Sequence, residues 1–111
     1  MTITLSRRSG TGATLDIELS DGGGGDPWDA VVVVEWVPGL ASASGPRPED
    51  GVINNAQGFV LWRDVKPGQN GTKTVQVKFR LQDKLEALRV KLTVYDVINK
   101  SDFSIPFAIT P

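Results

Sequence analysis

The chain is written largely in a period of two. TITLS (2–6) alternates Ile3 and Leu5 with hydroxyl residues, and ATLDIELS (13–20) alternates Leu15, Ile17 and Leu19 with Thr14, Asp16 and Glu18. Alternation of this kind puts one apolar side and one polar side on an extended strand. DAVVVVEW (29–36) and GFVLWRD (58–64) are apolar on both sides, while TVQVKFRLQ (74–82), ALRVKLTVYDV (87–97) and FSIPFAIT (103–110) return to alternation. Between these stretches lie Gly10/Gly12, Gly22 to Pro27, Pro38-Gly39, Pro46 to Gly51, Pro67-Gly68 and Asn99 to Asp102, all turn-forming. The spacing predicts about seven strands in an all-β, antiparallel sandwich, a single domain over 1–111. Leu81, Leu85 and Leu88 fall at helical spacing, but both flanks alternate strictly, so 81–90 is read as a hairpin rather than a helix.

That hairpin has a natural register. With its turn between Lys84 and Leu85, Val75, Val77, Phe79 and Leu81 oppose Val94, Leu92, Val90 and Leu88, which makes one side wholly apolar. The same register sets Lys78 against Lys91 and Arg80 against Arg89 on the other side, where directly opposed like charges are unfavourable. Either the long stems splay into solvent, or the four cations form a basic patch kept for an acidic partner.

The valine run raises a second question. Val31 and Val33 face one side of the sheet and Val32 and Val34 the other, so whichever pair points outward needs a cover. The cover is either the Pro-rich SGPRPEDG (44–51) or a neighbouring subunit or repeat. The outward side of FVLW poses the same demand.

Composition narrows the chemistry. Twelve Lys and Arg against 13 Asp and Glu leave a net charge of -1, so no global field draws the chain to nucleic acid or to an anionic membrane. There is no His and no Cys, which removes thiolate nucleophiles, Ser-His-Asp triads, zinc sites of the usual type, haem ligation and disulfides. No enzymatic activity and no cofactor are expected. No apolar run reaches the roughly 18 residues of a membrane span, so membrane insertion is not expected. MTITLSRRSG lacks the apolar core of a signal peptide, so an extracellular location would require excision from a precursor, another export route or release with a virus particle.

GGGGDPWDAVVVVEW (22–36) matches neither phosphate-binding glycine fingerprint, and its glycines read as the bend between the second and third strands. Asp21, Asp26 and Asp29 could converge on calcium, although acidic residues beside Gly and Pro are ordinary turn chemistry, and no metal site is assigned. Trp28, Trp36 and Trp62 invite a carbohydrate-binding alternative in which exposed rings stack on sugars; the competing use is as core and interface residues. NGT (70–72) and NKS (99–101) match N-glycosylation acceptors.

DIELSDGGGGDPWDAVVVVEWVPGLASASG (16–45) followed by GFVLWRDVKPGQNGTKTVQVKFRL (58–81) resembles the Ig-like repeat modules of large bacterial and archaeal surface proteins. Ala30, Pro38-Gly39-Leu40, Ser42 to Gly45, Pro67-Gly68 and the alternation of Val75 and Val77 carry the likeness, with Val37 where those modules have Leu. The resemblance implies an Ig-like sandwich with a stalk, adhesion or assembly role on a cell or virion surface, and no catalytic residues. The expected partner is another protein or further copies of the chain. The expected contacts are Val31, Val33 and Trp36 of the valine strand with Lys78, Arg80, Arg89 and Lys91.

Overall fold

A computed structural model describes residues 1–8, 13–21, 25–68 and 70–110. Its elements are β1 (Thr2–Arg8), β2 (Ala13–Ser20), β3 (Ala30–Trp36), β4 (Ala41–Arg47), β5 (Val52–Asn54), β6 (Phe59–Val65), β7 (Thr72–Leu81), β8 (Leu88–Asp96) and β9 (Ser101–Ile109). They form two antiparallel sheets, sheet A in the order β1-β2-β7-β4 and sheet B in the order β5-β6-β3-β8-β9. No helix occurs among the described residues, and hence none long and apolar enough to cross a membrane.

Each expected strand is present within a residue or two, and β4 and β5 are additional. The sequence ASASGPR of β4 hides its strand because β4 is an edge: it pairs only with β7 and buries Ala43 alone, so it needs no apolar alternation. The glycine bend at Gly22 to Gly24 and the turn at Gly10/Gly12 lie outside the described residues.

The inward residues make one core: Leu15, Ile17 and Leu19 with Val75, Val77 and Phe79 from sheet A, against Val32, Val34, Val60, Leu88, Leu92 and Val94 from sheet B. Burying each of these side chains contributes on the order of 1.5–3 kcal/mol. Trp36 of sheet B meets Phe79 of sheet A edge-to-face, with ring centroids 5.0 Å apart and planes at 85°.

The expected hairpin between 74–82 and 87–97 does not form. Strand β7 lies between β2 and β4 in sheet A, whereas β8 lies between β3 and β9 in sheet B. Residues 82–87 carry the chain across the sandwich, with a turn in which the Leu85 amide donates to the Gln82 carbonyl at 3.1 Å and Lys84 has φ 67°. Alternation states which side of a strand is apolar, but two apolar sides can be satisfied side by side or face to face, and here they face each other across the core.

At the β5–β6 turn, Gly58 has φ +79°, accepts the Trp36 amide through its carbonyl at 2.9 Å and donates its own amide to Asn54 at 2.8 Å. A Cβ there would run into the Trp36 carbonyl oxygen. Gly58→Ala is expected to destabilise the fold by about 2–3 kcal/mol through left-handed strain and the backbone clash. A shift of the urea midpoint with an unchanged m-value would verify it.

Candidate interaction surface

The valine strand resolves its own ambiguity. Val32 and Val34 are fully buried and Val31 and Val33 point outward, half-buried. Around them the register assembles an apolar field on the outer side of sheet B. Val33 lies between Leu61 of β6 and Thr93 of β8, and Leu61 in turn opposes Val52 of β5. One step along, Val31 opposes Tyr95, and on the other side Phe59 opposes Glu35. Val52 is 54 % exposed and Tyr95 40 %, so the field reaches solvent on β5 and on β8. One end of the field is charged: Lys91 opposes Glu35, a favourable cross-strand pairing of opposite signs, and Arg89 is exposed beyond it on the same side.

The cover expected from SGPRPEDG is used elsewhere. The chain there runs from β4 in sheet A to β5 in sheet B, and the Pro48 carbonyl accepts the inward-facing Trp62 indole N–H at 3.0 Å. The Arg47-Pro48 peptide bond is cis. This segment packs against the core margin.

Of the expected partner-binding residues, Val31, Val33, Arg89 and Lys91 share the outer side of sheet B. Lys78 and Arg80 do not: they are exposed on the outer side of sheet A, opposite Ser44 and Ser42 of β4. The single basic patch is therefore corrected to two pairs on opposite sides of the sandwich, and no like-charge opposition arises. Trp36 is corrected as well. It has the parity of Val32 and Val34 and is buried in the core. Val52 and Tyr95 were not singled out by the sequence, since neither stands in a doubly apolar run.

The carbohydrate reading fails on the same ground. Trp28, Trp36 and Trp62 are 2 %, 5 % and 1 % exposed, so no indole offers its face to a sugar. Each buried ring sends its N–H to a backbone carbonyl, Trp28 to Gly71 at 3.2 Å, Trp36 to Ala41 at 3.2 Å and Trp62 to Pro48. A buried indole donor needs such a partner, and loop carbonyls supply it.

The acidic loops also have a structural use. A recess of about 170 Å³ is lined by Asp21, Asp26, Trp28, Asp96 and Asn99 among others. Asp96, the buried polar residue at the end of β8, accepts backbone amides from Asp29 at 3.3 Å, Ile98 at 3.2 Å and Asn99 at 3.4 Å on Oδ1, and the Asn99 side chain at 2.6 Å on Oδ2. Burial pushes its pKa up, but the hydrogen bonds from the Asn99 side chain and from these amides outweigh burial and hold it below the ordinary carboxylate value. Its oxygens are thus occupied by N–H donors. Among the described residues no group of three or more acidic side chains is placed to hold a metal ion.

No protein-family model matches the chain, and no curated protein sequence matches it. Among solved structures it is similar to an uncharacterized protein from Nocardia farcinica whose crystal structure reveals an immunoglobulin-like fold, with a TM-score of 0.55 and 13 % identity over 92 % of this chain and 81 % of that one. At that identity the likeness establishes the fold, and the fold is immunoglobulin-like.

Proposed function

We propose that this immunoglobulin-like domain is a non-enzymatic structural and interaction module, assembling with another protein or with further copies of itself on a cell or virion surface. The observation that carries the reading is the apolar field of Val31, Val33, Val52, Phe59, Leu61 and Tyr95 on the outer side of sheet B. An antiparallel sheet with one wet side ordinarily alternates apolar-in and polar-out, and this sheet departs from that rule on adjacent strands. The field fits an apolar protein surface that carries acidic groups at the end where Arg89 and Lys91 stand. The surface or virion setting rests on the likeness of Pro38-Gly39-Leu40 and Pro67-Gly68 to surface-protein modules, positions that here form the β3–β4 turn and the approach to β7.

A photoactivatable cross-linker at Val52, compared with one at Val37, separates docking from mere exposure, because Val37 is 60 % exposed but lies in the β3–β4 turn. In extracts of the source, Val52 is expected to yield a discrete protein adduct that Leu61→Lys abolishes. Adducts no more abundant than those from Val37 would rule the reading out.

A further inference from the structure

A strand at the end of a sheet exposes a row of unpaired N–H and C=O groups, which natural proteins usually blunt. The sheet order leaves β1, β4, β5 and β9 in that position. On β4, Asn55 takes the place of a neighbouring strand: its Oδ1 accepts the Ala43 amide at 2.7 Å and its Nδ2 donates to the Ala43 carbonyl at 3.2 Å. The β4 ladder is broken as well, between Ser44 and Arg47, and Pro46 there has no N–H. Strand β5 is only 3 residues long, and β9 carries Pro106 in its middle. Strand β1 differs from all of these. It runs without a bulge against β2 from Thr2 to Arg8, contains no proline, and turns Thr2, Thr4 and Ser6 outward.

Strand β1 also borders an apolar flank. The Arg7 guanidinium donates to the Thr110 carbonyl at 2.9 Å and to the Thr110 hydroxyl, tying the end of β1 to the end of β9. Between the two strands lie Ile3 and Leu5 from β1 and Phe103, Ile105 and Phe107 from β9, packed on the core but half-buried.

We infer that β1 pairs antiparallel with β1 of a second copy of this chain, about a two-fold axis at Thr4, joining the two A sheets into one. The order of side chains is self-complementary in that register: Thr2 meets Ser6, Ile3 meets Leu5 and Thr4 meets its symmetry mate. Hydroxyl pairs lie outside, apolar pairs lie inside next to the Phe103 and Phe107 flank, and Arg7 falls opposite Met1, so no two charged side chains are directly opposed. A slip by one residue would set Ile3 against Thr4 and mismatch the two sides.

The chain has no cysteine, so an introduced one reads proximity cleanly. Sedimentation of the full chain from about 1 µM to about 1 mM is expected to show a monomer–dimer equilibrium, weakened at least tenfold by Thr4→Lys, which opposes two ammonium groups at the axis. Thr4→Cys is expected to oxidise to a covalent dimer, since directly paired strand residues lie within disulfide range, faster than Ser44→Cys on the exposed side of β4. Leu61→Lys, on the outer side of sheet B, should leave this dimer unchanged. A monomer at every concentration, equal cross-linking from positions 4 and 44, or a dimer lost in Leu61→Lys but kept in Thr4→Lys would overturn the inference.

Discussion

Trp36→Ala is expected to destabilise the domain by about 4 kcal/mol, the range for removing a large buried aromatic. Trp36 projects from β3 of sheet B, is 5 % exposed, and closes edge-to-face on Phe79 of sheet A. Its removal would leave a void between the sheets and strip the Ala41 carbonyl of its indole donor at 3.2 Å. Because Ala41 opens β4, that end of the edge strand should loosen too. Urea unfolding gives the magnitude, and a double-mutant cycle with Phe79→Leu isolates the ring contact, expected at about 0.5–1.5 kcal/mol. A loss below about 1 kcal/mol would mean that the two sheets do not depend on this contact. The measurement also bears on the rejected sugar site, since a binding-surface tryptophan would lose affinity rather than stability.

Asp96→Asn is expected to cost about 2–3 kcal/mol at neutral pH, with a distinctive pH dependence. The carboxylate gathers amides from two separate segments at one end of sheet B: Asp29, which leads into β3, and Ile98 and Asn99 of the β8–β9 turn. The connection is reinforced by the Val97 amide donating to the Asp29 carbonyl at 2.7 Å and by Asn99 Nδ2 reaching the Pro27 carbonyl at 3.3 Å. An amide at position 96 keeps one acceptor but turns an NH₂ group toward the Asn99 donor. Because the folded-state pKa lies below the ordinary value of 3.8, the ionised group contributes its full stabilisation above that pH. The contribution is lost as pH falls through the lower, folded-state value. The stability gap between the wild type and Asp96→Asn should therefore be constant from neutrality down to about pH 4 and then shrink as acidity increases. Comparing the two proteins cancels the other carboxylates, and a gap independent of pH down to about pH 2 would show that the charge of Asp96 contributes nothing.

Much of this protein is legible in its residues. Period-two alternation located the strands because an edge-on view of a sandwich is one apolar side per strand, and Leu15, Ile17, Leu19, Val75, Val77, Leu92 and Val94 all turn inward as alternation demands. The absence of His and Cys narrowed the chemistry independently of any fold. The doubly apolar runs VVVV and FVLW likewise marked β3 and β6 as strands whose outer sides are unusual, and these two lie side by side in sheet B.

What alternation could not carry is which strand lies beside which. The cations of β7 and β8 look adjacent along the chain, yet a six-residue crossing, 82–87, sends them to opposite sides of the sandwich. Nor does a tryptophan's type reveal its side: Trp36 shares the parity of Val32 and Val34, and only the register of β3 against β8 decides that this parity faces the core. The capping of β4 by Asn55 and the open edge of β1 are likewise products of sheet order. A period of two is a local property of the backbone, fixed by the pleat, whereas neighbourhood in a sheet is set by long-range pairing in which several arrangements bury the same apolar sides; packing of the whole core selects one of them.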